Sequence, residues 1–322
     1  CYLNLATWFS RAPYNSLTGA SRWNEPCVPV YTTGTSIDTG GQPRESLRTV
    51  YGRIDQDIDR AIELLEKARE TTLAENNKSH INLYVALGIK SRACLAEGDW
   101  DGAFKAAKRV IDEGGYAVGT KSDLTGGMNS LDKQNVMWGA GIQVADQAGG
   151  YAGFFTHMDN KEGAYAKSAP KLISKQLYNR ISATDIRRDW WDPSDKESPY
   201  VSKKFSFANV ASFLGDYIYM RVEEMYFTAA EAALRLDDLK SARELMNTVM
   251  AERDPGYSAN NRSGTLLGAT TTTWTGSFLE NILTHRRIEL WGEYGRLFDV
   301  RRLGQGIDRR TDDGFSEEGI SM

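Results

Sequence analysis

A short stretch of the chain combines aromatic rings with hydrogen-bonding side chains. It runs from residue 151 to residue 165, and its candidate groups are Tyr151, Phe154, Phe155, His157, Asp159, Asn160, Lys161 and Tyr165. Rings in a loop on a rigid frame can stack on the flat C–H face of a sugar, while polar neighbours bond its hydroxyls. The stretch shows no helical periodicity, so the chemistry that it predicts is non-covalent sugar binding.

The same rings also have a purely structural interpretation. Phe154 and Phe155 would serve equally well to plug the loop onto the scaffold, since phenylalanine is a frequent core residue. Tyr151 and Tyr165 are the stronger candidates for ligand contact. Both interpretations stay open from the residues alone.

Further tryptophans divide by their surroundings. Trp23 and Trp274 lie in polar loops and are additional candidates for sugar contact. Trp100, Trp138 and Trp291 lie within periodic or motif-like stretches, which predicts core packing for them.

Signals for catalysis are weak. The chain lacks a Gly-x-Ser-x-Gly motif, a phosphate-binding loop and a zincin motif. Asp189, Asp192 and Asp195 could in principle contact calcium, but they lack the glycine and terminal glutamate of an EF-hand loop. The three cysteines and three histidines are dispersed and fit no zinc spacing. We therefore expect no catalytic residue, no metal and no cofactor, although carboxylates are too abundant for counting alone to exclude a glycosidase pair.

Composition limits the kinds of partner that we expect this protein to bind. A net charge of -4 and a pI of about 5.6 argue against nucleic acid, which requires a basic face. No apolar run approaches the roughly 20 residues of a membrane-spanning helix.

Helical periodicity supplies the frame that must position these groups. Residues 46–70 predict one long amphipathic helix, because apolar side chains recur at steps of three and four. Residues 81–113 and 220–253 each predict a helical hairpin with a tight central turn. Small residues at matching positions of the two hairpins, as in tetratricopeptide repeats, let two helices pack closely: Ser91, Ala103, Ala230 and Ala242.

Between the hairpins the helical rhythm breaks down. Residues 136–143 predict a short strand and residues 170–178 a short helix, within a glycine-rich and aromatic region. The predicted fold is all-α, a tetratricopeptide-like helical-repeat scaffold with long irregular loops and a few short strands. We expect one domain over 1–322, made of a helix plus repeat hairpin (46–116), a loop-rich ligand-binding insertion (117–216) and a second hairpin with a C-terminal signature (217–322).

The C-terminal stretch interleaves charges with bulky apolar groups. It reads Arg286-Arg287-Ile288-Glu289-Leu290-Trp291-Gly292-Glu293, followed by Arg296, Phe298-Asp299 and Arg301-Arg302. Charges this close to core residues must be paired, because an unpaired buried charge is costly. We therefore expect Arg287, Glu289, Arg296 and Asp299 to form structural ion pairs.

This stretch resembles the C-terminal signature of the SusD/RagB family of outer-membrane glycan-binding lipoproteins. Val28-Pro29-Val30 and Ile186-Arg187-Arg188-Asp189-Trp190-Trp191 resemble two further family elements. The resemblance implies a surface-exposed, non-catalytic protein that binds oligosaccharide and delivers it to a SusC-like TonB-dependent outer-membrane transporter. Two other functions stay open: a peptide- or protein-binding repeat module, and a glycoside hydrolase.

The resemblance also bears on the N-terminus. Cys1 begins a stretch that resembles the middle of a helix in family members, and apolar residues rather than a polar tether follow it. We therefore expect Cys1 not to be the lipid anchor, the N-terminal part of the family to be absent from this chain, and outer-membrane attachment to occur through an anchor upstream.

Overall fold

The structure is a computed structural model that describes residues 1–69, 77–146, 152–260, 262 and 276–305. Within these ranges the chain is mostly α-helical with four short strands, which confirms the predicted fold class. The helices are α1 (Tyr2–Phe9), α2 (Leu47–Arg69), α3 (Leu83–Glu97), α4 (Trp100–Glu113), α5 (Lys121–Thr125), α6 (Phe154–Met158), α7 (Ala164–Ser168), α8 (Lys175–Tyr178), α9 (Val222–Arg235), α10 (Leu239–Ala251), α11 (Phe278–Glu289) and α12 (Arg296–Leu303). The strands are β1 (Val136–Ala140), β2 (Trp191–Asp192), β3 (Val201–Ser202) and β4 (Tyr217–Arg221).

The two predicted hairpins are α3–α4 and α9–α10, and their turns use the same chemistry. Gly98 and Asp237 adopt left-handed backbone conformations, with φ of 77° and 61°. The next residue, Asp99 or Asp238, then caps the following helix by accepting the backbone N–H three positions ahead, at 2.9 and 3.0 Å. Each hairpin therefore turns tightly and restarts with a satisfied helix end.

Small side chains let the hairpins pack closely, as the sequence predicts. Ser91, Ala103, Ala230 and Ala242 are all fully buried. Helix α4 packs along α9, so the two hairpins share one hydrophobic core, against which α11 also packs. α2 lies against α3 and buries its face at Leu47, Val50, Tyr51 and Ile54.

An antiparallel strand pair ties the insertion to the segment that leads into the second hairpin. β1 pairs with β4, so that Ala140 lies opposite Tyr217 and Val136 opposite Arg221. The predicted strand over 136–143 is confirmed but ends at Ala140. β4 leads directly into α9, which fixes the insertion to the second hairpin.

A buried ionic network joins the insertion to the C-terminal helices. Glu289, at the end of α11, accepts hydrogen bonds from Arg187, Arg221 and Arg253 at 3.0 to 3.1 Å, and all four side chains are fully buried. Burial opposes ionisation of Glu289, yet the three guanidinium charges outweigh it and hold its pKa well below the usual value. The predicted structural role of Glu289 is confirmed.

A second set of ion pairs anchors α12. Arg286 bonds Asp299 from Nε at 3.0 Å and Glu224 from Nη2 at 3.3 Å, and its side chain is fully buried. Arg286 was not among the residues predicted to form ion pairs, whereas the neighbouring Arg287, which was, is half-buried. Successive residues of an α-helix are about 100° apart around its axis. A side chain one position away from a buried one can therefore lie at the edge of the core.

Candidate functional site

A tight turn between α6 and α7 is fixed by the buried carboxylate of Asp159. Its Oδ1 accepts the backbone N–H groups of Lys161 and Glu162, both at 3.0 Å, and its Oδ2 accepts that of Phe207 at 3.0 Å. Both oxygens are therefore engaged inside the protein. The structure places Asp159, a predicted sugar-binding residue, as the anchor of the turn.

Asn160 attaches the same turn to the strand region behind it. Its Nδ2 donates to the carbonyl of Ser202 at 2.7 Å, and its Oδ1 accepts the N–H of Lys171 at 2.8 Å. The side-chain amide of Asn160, which was also predicted to bind sugar, makes its two shortest hydrogen bonds to backbone groups. Together the two side chains make the α6–α7 turn rigid.

Two of the predicted residues meet at the surface of this turn. His157 on α6 and Tyr165 on α7 stack with ring centroids 4.5 Å apart and planes only 4° from parallel. Both are exposed, Tyr165 to 39%. We call this pair the α6–α7 platform. A rigid, exposed aromatic surface of this kind suits stacking on a sugar ring.

The two phenylalanines point into the protein. Phe155 is 2% exposed and packs beside Phe207 and Tyr217. Phe154 is half-buried, with its ring 5.3 Å from that of Phe205 and 5.8 Å from that of Tyr217. Phe155 therefore plugs the loop onto the core, while Phe154 forms part of a cavity wall.

Another candidate, Trp23, lies in a different part of the fold. Trp23 packs edge-on against Tyr51 of α2 at 6.1 Å, with the guanidinium of Arg48 5.6 Å from its ring centroid. Tyr151 and Trp274 lie outside the described residues. The structure thus brings together His157, Tyr165 and, on the same helix, Phe154.

An aromatic cleft of about 420 Å³ opens between the β1–β4 pair, α6 and the turn that follows α11. Trp138 and Tyr219 flank it, with centroids 5.1 Å apart and planes at 70°. Trp138 packs against the hydrophobic core, as expected, but its side chain is only half-buried and also lines the cleft. The lining residues are Asn4, Arg92, Met128, Trp138, Phe154, Phe205, Tyr217, Ile218, Tyr219, Gly292, Glu293 and Tyr294.

Charged groups at the cleft are already paired. Arg92 makes a two-pronged bond to Glu224, from Nε at 2.8 Å and from Nη2 at 2.6 Å, and lies 4.0 Å from the ring centroid of Tyr294. Glu293 accepts from Arg221 on both oxygens at 2.8 Å and also from Lys204.

The pKa values at the cleft reflect this pairing. Burial would raise the pKa of Glu293, but the charges of Arg221 and Lys204 hold it below its usual value. Burial lowers the pKa of Lys204 to about 8, against the opposing charge of Glu293. The cleft therefore has apolar walls, and its charged lining residues, Arg92 and Glu293, are held in ion pairs. We call these two residues the ionic floor.

Metal clusters and membrane-spanning helices are both absent from the described parts of the chain. There, no group of three or more His, Cys, Asp or Glu side chains is arranged to hold a metal ion. No helix in those parts combines the length and apolar character needed to cross a membrane.

Comparisons with known proteins agree with this architecture. A SusD-like carbohydrate binding protein from Bacteroides vulgatus ATCC 8482 is 28% identical with a TM-score of 0.76, over 95% of this chain and 61% of that chain. A SusD superfamily protein from Bacteroides thetaiotaomicron VPI-5482 is 21% identical with a TM-score of 0.73, over 96% and 66%. The surface glycan-binding protein A from Bacteroides uniformis is 16% identical with a TM-score of 0.60, over 94% and 63%.

The chain thus spans less than two thirds of the length of these structural relatives. No curated protein matches it. The model of the SusD family, SusD_RagB, matches residues 156–317, which is 162 of the 322 residues. On this match and the shared fold, the chain belongs to the SusD family.

Proposed function

We propose that this protein binds oligosaccharide at the cell surface without cleaving it. The observation that carries the proposal is the α6–α7 platform, an exposed stack of His157 and Tyr165 on a turn held rigid by buried hydrogen bonds. Because the turn is already ordered, little conformational entropy is lost when a ligand binds. Carbohydrate binding is also what the names of two structural relatives state for those proteins.

Membership of the SusD family supports the rest of the proposal. The protein would capture oligosaccharide at the outer membrane and hand it to a SusC-like TonB-dependent transporter. A lipid anchor upstream of this chain would hold it at the surface. The irregular insertion would contact the ligand, and the helical hairpins would serve as the frame.

Binding rather than hydrolysis suits the carboxylates of the described residues. A glycosidase needs two carboxyl groups facing each other across a cleft, one of them free to protonate the leaving group. Glu293 is the carboxylate that lines the aromatic cleft, and both its oxygens accept hydrogen bonds from cations. Glu97 has a raised pKa, as a general acid requires, but it contacts Asp55 of α2 and lines neither the cleft nor the platform.

A glycan panel tests the proposal directly. Binding of neutral and acidic oligosaccharides would be measured by calorimetry, with product analysis of the same mixtures. Tyr165→Ala and His157→Ala are each expected to weaken binding about tenfold, by analogy with aromatic–base stacking. Trp8→Ala, at an exposed ring on α1, serves as the control and should bind as wild type.

Other outcomes would identify the alternative functions. Binding of peptides in place of sugars would point to a peptide-binding repeat module. Shortened oligosaccharide products would point to a glycoside hydrolase. If both platform variants bound oligosaccharide with wild-type affinity, the binding site would not lie at α6–α7.

A further inference from the structure

The aromatic cleft is separate from the platform and has its own chemistry. Its volume of about 420 Å³ lies within the roughly 300–1,000 Å³ typical of small-molecule pockets. Such pockets combine mostly apolar walls with a few polar groups that orient the ligand. The cleft has both, so its polar groups restrict the chemistry of the ligand that it can hold.

The mouth of the cleft forms an aromatic corner. Trp138 and Tyr219 meet at 70°, which presents the face of one ring beside the edge of the other. Tyr219 is 42% exposed, and its backbone carbonyl accepts a hydrogen bond from Arg92 at 3.0 Å. A flat ring entering the cleft therefore meets a surface that is held in place from behind.

The ionic floor disfavours a charged ligand. Arg92 is committed to Glu224, and Glu293 is committed to Arg221 and Lys204. An added carboxylate would lie among apolar walls without an unpaired cation. An ammonium group could reach only Glu293, whose charge Arg221 and Lys204 already balance, so either charge would be buried without compensation, which is costly. The cleft is thus suited to an uncharged molecule.

Two polar atoms can still bond the hydroxyls of such a molecule. Oε2 of Glu293 accepts from Nε of Arg221, and a carboxylate oxygen has room for a second donor. The hydroxyl of Tyr217 accepts the N–H of Phe154 at 3.3 Å, so its own hydrogen remains for donation. One acceptor and one donor beside aromatic walls match a sugar ring.

We infer that the cleft is a second sugar-binding subsite that takes an uncharged pyranose of the chain bound at the platform; this rests on the proposed function. Phe154 in the cleft wall and His157 in the platform lie three residues apart on α6. Residues at this spacing are neighbours on a helix surface, about 5–6 Å apart. One oligosaccharide chain can therefore cross α6 and occupy both places.

The test compares matched variants with defined probes. Wild type, Tyr219→Ala, Trp138→Phe and Tyr165→Ala would be titrated with neutral hexasaccharides of glucan, xylan, mannan and arabinan, and with oligogalacturonide of equal length. Tyr31→Ala is the control, because that ring is also 42% exposed but lies outside the cleft and the platform. Far-ultraviolet circular dichroism would verify that each variant is folded.

We expect at least one neutral hexasaccharide to bind, with affinity about tenfold lower in Tyr219→Ala and in Trp138→Phe. Tyr31→Ala should match wild type, and oligogalacturonide should bind at least tenfold more weakly than the neutral chain. If the neutral chain binds and only Tyr165→Ala weakens it, the cleft subsite is excluded while the proposed function stands. Tighter binding of oligogalacturonide through Tyr219 would overturn the uncharged class. No binding of any glycan would overturn the cleft and the proposed function together.

Discussion

Arg253 and Glu289 form a two-pronged ion pair in the interior of the protein. Nε of Arg253 donates to Oε2 at 3.0 Å and Nη2 donates to Oε1 at 3.0 Å, with both side chains fully buried. Arg187 and Arg221 share the same carboxylate. One glutamate therefore neutralises part of the charge that three chain segments bring into the core.

Glu289→Ala should destabilise the fold strongly, because it leaves buried guanidinium groups without their partner. We expect a loss of about 3–5 kcal/mol in the free energy of unfolding, measured by urea denaturation. Arg53→Ala is the control, since Arg53 pairs with Asp57 at the exposed surface of α2. That change should cost no more than about 0.5 kcal/mol. Equal losses in the two variants would contradict the central role of Glu289.

Adjacent arginines on α11 should differ in their contribution to stability. Arg286 is fully buried and holds Asp299 and Glu224, whereas Arg287 is half-buried. Arg286→Ala should therefore lower the free energy of unfolding by about 3–5 kcal/mol, and Arg287→Ala by clearly less. Thermal melts of the two variants, prepared side by side, decide the matter. A larger loss in Arg287→Ala would contradict the assignment of Arg286 as the main anchor of α12.

Glu97 should make stability depend on pH. Burial, and secondarily the neighbouring charge of Asp55, raises the pKa of Glu97 from 4.5 to about 8. The folded state then holds a proton that the unfolded state has released, so its contribution to stability is complete below pH 4.5 and is lost as pH rises towards 8. Urea titrations at pH 5, 6, 7 and 8 measure this slope.

Variants at this carboxyl pair provide the comparison. Glu97→Gln removes the titrating group, so the fall in stability between pH 5 and 8 should be smaller than in wild type. Asp55→Asn removes the charge that assists the shift, and should also reduce the fall. An unchanged slope in Glu97→Gln would exclude Glu97 as its source.

Variants at Asp159 and Tyr165 should distinguish a residue that supports the α6–α7 turn from one that contacts the ligand. Asp159→Ala removes the acceptor of three backbone N–H groups, so we expect both a lower melting temperature and weaker glycan binding. Tyr165→Ala should weaken binding while leaving the melting temperature close to that of wild type. Differential scanning fluorimetry paired with calorimetry measures both quantities. A stable Asp159→Ala protein would mean that the turn holds without this side chain.

Long periodic segments were predictable from sequence, whereas the short helices α6 and α7 were not. The helix expected over 46–70 is observed as Leu47–Arg69, because its apolar positions repeat over many turns. α6 and α7 have five residues each, too few to show a period, and lie within a stretch that reads as loop. Their helical form depends on tertiary anchors such as Asp159, which no local pattern reveals.

Site residues were predictable by type but not by orientation. Phe154 and Phe155 are adjacent and chemically identical, yet one lines the cleft and the other is in the core. Trp138 had no usable local signal either. Val136 and Met137 are consecutive and both buried, and the β1–β4 register shifts at Trp138, so simple strand alternation does not hold there. The cleft itself arises from segments far apart in sequence and had no local signature.

The pairing of β1 with β4 has a consequence for how this protein can diversify. Ala140 and Tyr217 lie opposite each other, so the part of the insertion from 141 to 216 leaves and rejoins the structure at adjacent strands. Its length can then change at little entropic cost, because closing a longer loop adds only about 0.6 kcal/mol per doubling. Arg187 and Lys204 limit where the insertion can vary, because their side chains reach into the protein and pair with Glu289 and Glu293. The segments between these two residues and the strand pair can therefore change in sequence and length. The ion pairs of Arg187 and Lys204 would hold each changed segment in the same position on the helical scaffold.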